Sequence, residues 1–133
     1  MKRGVYQLLI KLDRDKTIPV GKLGVFDFPR GYYVYTGSAM GGLEARVARH
    51  LSDVKRFHWH IDYLLEQSEI IRYAIKECSA DGPREECAVH AATLEMDGAT
   101  ELIKGFGSSD CRCRSHLVYF AKEPTLALDD TPA

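Results

Sequence analysis

Gly4-Val5-Tyr6-Gln7-Leu8-Leu9-Ile10-Lys11-Leu12 is the stretch on which the fold turns. It is rich in β-formers, and the two-residue period of a strand puts Tyr6, Leu8, Ile10 and Leu12 on one face. The Asp13-Arg14-Asp15 turn leads into a second apolar run near residues 17–26, and the two runs together predict a hairpin. Pro29-Arg30-Gly31 then punctuates the chain before GYYVYTG at 31–37, a strand dense in tyrosine and valine. Gly41-Gly42 opens a helix over about 43–54, with Leu43, Val47, Leu51 and Val54 as its apolar stripe. A second helix is expected over about 59–67 and a strand over about 69–76. Asp81-Gly82-Pro83 starts a third helix that runs to about Met96, and HLVYF at 116–120 reads as a last short strand. Strands with helices between them predict a small α+β domain.

The chain has 133 residues, 45% hydrophobic and 28% charged, which excludes wholesale disorder and a fibrous repeat. That length suits one domain, drawn at residues 1–121, with an acidic, Pro-bearing tail at 122–133 expected to be poorly ordered. There is no run of about 18 apolar residues, so no helix is expected to cross a membrane. The basic start lacks a small-residue cleavage site, and a cytoplasmic protein is expected. The net charge of −1 hides a polarity. Residues 1–60 hold eleven Lys/Arg against five Asp/Glu, a balance of +6; residues 61–133 hold seven against fourteen, a balance of −7. This permits an anion-binding face without requiring one. Four cysteines are too few for a secreted disulfide scaffold and read as buried thiols or metal ligands. The chain has no Asn and only two Gln, Gln7 and Gln67, a depletion of thermolabile amides seen in heat-adapted proteins.

Antiparallel pairing of 4–12 with 31–37 would bring the phenols of Tyr6 and Tyr35 to one edge of the sheet. A phenol there can orient or deprotonate water, or hydrogen-bond a phosphate oxygen; two half-buried strand tyrosines are the plainer alternative. Arg46 and His50, four apart, share one margin of the first helix. Arg donates bidentately to phosphate and keeps its charge, whereas His exchanges a proton near neutral pH; a solvated helix edge is the alternative. Glu86 falls in the first turn of the helix after Pro83, where it can hold Mg²⁺ or Mn²⁺ or merely complement the helix dipole.

Together these pieces resemble a family. GVY at 4–6 and YTG at 35–37 are similar to the paired blocks of the GIY-YIG nuclease superfamily. Arg46 in LEARVARH, His50 one turn later and Glu86 in PREECAVH fit its order and spacing over residues 4–90. HWHIDYLL at 58–65, and GFGSSDCRC with SHL at 105–117, resemble blocks of a prokaryotic subfamily of unassigned function. The resemblance implies a three-stranded antiparallel sheet flanked by helices and a metal-dependent DNA endonuclease, by analogy in repair, beside another repair enzyme as partner. In it Glu86 would bind one divalent ion, Tyr6 would activate water and Tyr35 would contact the scissile phosphate. Arg46 would stabilise charge on that phosphate, and His50 would be an auxiliary base or phosphate contact. The family's late Asn near the phosphate has no counterpart here; Ser109 or Asp110 would substitute, Ser109 as a nucleic-acid contact, whereas Asp110 would bring negative charge where phosphate must sit.

Around this core, Arg49, Lys55, Arg56, His58 and His60 form a basic run suited to DNA, with Trp59 able to stack on bases. Cys111-x-Cys113-x-x-His116, with His58 and His60, offers the ligand types of a structural Zn²⁺ site; buried thiols and hydrogen-bonded histidines are the alternative. The enzyme reading expects the tyrosines, Arg46 and Glu86 to converge on a solvent-facing cleft. A non-catalytic nucleic-acid-binding module is the second reading, and a structural or interaction domain, favoured by a filled cleft, the third.

Overall fold

The computed structural model describes residues 4–39, 43–51, 60–77, 82–103 and 116–130. The chain is α+β, as its pattern predicts. Among the described residues, four strands, β1 (Gly4–Leu12), β2 (Lys16–Val20), β3 (Gly24–Phe28) and β4 (Gly31–Ala39), come first, and the helices α1 (Leu43–Leu51) and α2 (His60–Glu66), the strand β5 (Glu69–Glu77), the helix α3 (Gly82–Leu94) and the strand β6 (Leu117–Phe120) follow. The main sheet is antiparallel in the order β5-β1-β4-β6, so it has four strands where three were expected.

The hairpin expected from 4–12 and 17–26 does not form. β1 is buried on both faces, with Val5, Leu8, Leu9 and Ile10 all at 0% exposure. Such a run needs neighbours on both sides and cover on both faces, which makes it a central strand. It takes β4 and β5 as partners, and the run at 16–28 folds on itself as the β2–β3 ribbon. Gly21 and Gly24, both at positive φ, break that run into two strands.

The two faces of β1 seed two cores. Tyr6, Leu8, Ile10 and Leu12 pack with Tyr33, Tyr35, Val47 of α1, Ile61 and Leu64 of α2, and Ile18 of the ribbon. Leu9 packs with Val34, Val118, Phe120 and Leu126 beneath α3. Gln7 crosses this second layer. Its Nε2 donates to Thr36 Oγ1 at 3.1 Å and Thr93 Oγ1 at 2.8 Å, and its Oε1 accepts from the Leu128 amide at 3.1 Å. The described part of the tail expected to be loose, residues 122–130, folds back: Leu126 is fully buried, and Ala127–Asp130 forms a turn of 3-10 helix.

Candidate active site

Register sets the site. In the β1–β4 ladder Tyr6 faces Gly37 and Leu8 faces Tyr35, so the two phenols are diagonal neighbours on one face, their ring centroids 6.4 Å apart. They stand on the two central strands and not at a sheet edge. Gly37 has a steric task. A Cβ there would drive into the Cζ and hydroxyl of Tyr6, so the ring lies across the glycine.

α1 supplies His50, whose Nε2 shares a 2.7 Å hydrogen bond with the Tyr6 hydroxyl. Its ring centroid lies 5.3 Å from that of Tyr6 and 6.2 Å from that of Tyr35. The predicted apolar stripe is corrected accordingly: α1 turns His50 inward with Val47 and leaves Leu51 44% exposed. Behind His50 stands Asp62 of α2, fully buried, with Oδ1 4.0 Å from His50 Nδ1. Arg49 holds that carboxylate with a two-pronged contact, Nη1–Oδ1 at 3.1 Å and Nη2–Oδ2 at 3.2 Å. Arg49, expected to meet phosphate, thus spends its guanidinium on Asp62.

Tyr6, Tyr35 and His50 come together, but at 2%, 5% and 2% exposure they form a buried cluster and not the solvent-facing cleft that the enzyme reading expects. Arg46 lies on α1 and Glu86 on α3, with their side chains outside the described residues. One end of the sheet gathers the chain segments that carry them: Gly4 pairs with both Ala39 and Glu77, and α1 and α3 follow shortly after those two strand ends. Lys55, Arg56, His58, Trp59, Ser109, Asp110, Cys111 and Cys113 lie outside the described residues.

His60 and His116, set together as candidate zinc ligands, belong to different layers. His60 starts α2, which packs on the Tyr6 face. His116 lies against His90 of α3, ring centroids 5.4 Å apart, on the side of the sheet where Thr93 meets Gln7. His90 is 3% exposed, and its Nε2 is 3.9 Å from Glu101 Oε1. Burial, helped by the neighbouring His116, pushes the His90 pKa down to about 4. Among the described residues no three His, Cys, Asp or Glu side chains are spaced to hold a metal ion. A hard divalent ion held by one carboxylate, with water and substrate phosphate for the rest, needs no such cluster.

Tyr33 shows what a purely structural tyrosine looks like here. Its hydroxyl donates to the Pro29 carbonyl at 2.6 Å, and burial raises its pKa far above the ordinary phenol value. Sequence pattern assigns no role to Asp62 or His90, and Gly37 enters it only as the end of the YTG block. The clue for Asp62 was a lone acidic residue among apolar ones in HIDYLL; nothing in its 12-residue separation from His50 marks the pair. No helix among the described residues is long and apolar enough to cross a membrane.

Comparison with curated proteins and with solved structures finds no match. A family model does match, over residues 5–131, nearly the whole chain. The chain belongs to the family described as Domain of unknown function DUF123.

Proposed function

We propose that this protein is a GIY-YIG-type endonuclease that hydrolyses DNA phosphodiesters with one divalent ion. The observation that carries the reading is the buried chain Tyr6–His50–Asp62–Arg49. An ionised carboxylate and an imidazole are expensive to bury, and apolar side chains would fill the same volume at lower desolvation cost. A proton acceptor lodged against a phenol, backed by a carboxylate, is the arrangement that proton abstraction needs. The resemblance supplies the rest, because Tyr6, Tyr35, Arg46, His50 and Glu86 occur in its order.

In this reading an attacking water gives a proton to the Tyr6 oxygen while the Tyr6 proton passes to His50 Nε2. The water oxygen bonds to phosphorus, the bond from phosphorus to the leaving sugar oxygen breaks, and that oxygen takes a proton from solvent. Tyr35 contacts the phosphate and Arg46 stabilises its developing charge. Glu86 would hold Mg²⁺ or Mn²⁺, which neutralises phosphate charge when bound. With Tyr6 only 2% exposed, this reading requires the cluster to open before substrate reaches its hydroxyl.

That same burial leaves two non-catalytic readings, a DNA-binding module and, as a filled cleft favours, a structural or interaction domain. Cleavage decides between them. Plasmid, branched and single-stranded DNA are incubated with wild type, Glu86→Gln and Arg46→Ala, in Mg²⁺, Mn²⁺ or EDTA. The nuclease reading expects metal-dependent cutting that falls roughly 100-fold or more in either folded variant. DNA binding with no cutting on any substrate would select the binding module.

A further inference from the structure

We propose that Asp62 is a positioning residue: its carboxylate, clamped by Arg49, fixes His50 in the tautomer that carries its proton on Nδ1 and offers Nε2 to the Tyr6 hydroxyl. The inference rests on the nuclease reading only for its effect on cleavage; the tautomer itself is a property of the folded chain.

The two nitrogens of His50 look at different partners. Nε2 is 2.7 Å from the Tyr6 hydroxyl, and Nδ1 is 4.0 Å from Asp62 Oδ1. A neutral imidazole has one donor and one acceptor nitrogen, so whichever partner fixes one nitrogen fixes the other. At 4.0 Å the carboxylate is beyond hydrogen-bond reach but well within Coulombic reach. Both side chains have 0% exposure, which removes most solvent screening. A negative charge there favours hydrogen on Nδ1 and leaves the Nε2 lone pair for the phenol. When the Tyr6 O–H bond breaks and the proton forms Nε2–H, the imidazolium that results stands beside the same carboxylate, which it shares with Arg49.

Arg49 makes the carboxylate fit for this task. It immediately precedes His50 on α1, so one helix presents both groups to Asp62 on α2. The paired contacts at 3.1 and 3.2 Å hold both carboxylate oxygens in place and favour the ionised form.

A purely structural Arg49–Asp62 clasp between two helices would affect stability without touching the His50 tautomer. The test is therefore ¹⁵N NMR of the full chain labelled at histidine, with His50 assigned by the signal lost in His50→Gln. The wild type is expected to show His50 protonated on Nδ1 with Nε2 as acceptor. Asp62→Asn is expected to move hydrogen to Nε2 or mix the two forms, and to lower cleavage by roughly 100-fold or more. Asp62→Glu should restore part of both. A wild-type His50 protonated on Nε2 overturns the proposal, and this holds even if Asp62→Asn does not fold. So does a folded Asp62→Asn with an unchanged tautomer. A protein that cuts no DNA, yet whose His50 tautomer follows Asp62, removes the nuclease reading and leaves the positioning role standing.

Discussion

Gly37 and Tyr6 are opposite each other across two central strands, and each explains the other. Gly37→Ala would push a methyl into the phenol and displace its hydroxyl from His50. We expect a loss of about 1–3 kcal/mol in stability, of the size of other overpacking substitutions, measured by denaturant unfolding. Any cleavage should fall further than that loss alone explains, because the hydroxyl is what moves. Tyr6→Phe separates the two effects: it keeps the ring and loses only the hydroxyl. The GVY and YTG blocks were legible as a pair, and so were the pairing of their strands and the shared face of the two phenols. Illegible were the reason for the glycine, which exists only once the register is known, and Asp62, which enters through the meeting of two helices. A residue recruited from another element leaves no spacing signal in the sequence.

Among the secondary-structure elements, boundaries follow from local sequence pattern and strand partners do not. The helices near 43, 60 and 82 and the strands at 4–12, 31–39 and 69–77 lie close to where periodicity and turn residues place them. The error was the hairpin. Short sequence separation favoured pairing 4–12 with the next run, but burial on both faces of β1 demanded partners from further along the chain. α3 carries a consequence for pH. His90 stays neutral in the fold down to about pH 4, against an ordinary value of 6.5 for the unfolded chain. Below pH 6.5 the unfolded chain takes up a proton that the native state refuses, so stability declines as pH falls from 6.5 through 4. The contribution is on the order of 3 kcal/mol. Unfolding midpoints of the wild type and His90→Gln over that range check it: the variant's dependence should be the flatter.

Taken as one body, the described residues form two packed layers with the sheet between them. The Tyr6 face holds the aromatic–imidazole cluster, and the opposite face is sealed by α3 and residues 126–128. Leu126→Ala should destabilise the protein by about 2–5 kcal/mol, as other buried leucine truncations do, while leaving the His50 tautomer unchanged, since it acts across the sheet. A shifted tautomer in that variant would show the two layers to be coupled.

The Gln7 amide, bonded to Thr36, Thr93 and Leu128, also implies an order of events during synthesis. β1 leaves the ribosome before either of its neighbours exists, and the Leu128 amide that donates to the Gln7 side chain arrives 121 residues later. Contacts of such long sequence separation make for slow folding, because loop closure must precede the burial that rewards it. Until β4 and β5 are made, GVYQLLIKL is an apolar strand with both edges open, the kind of nascent segment that chaperones shield and that associates with other chains at high concentration.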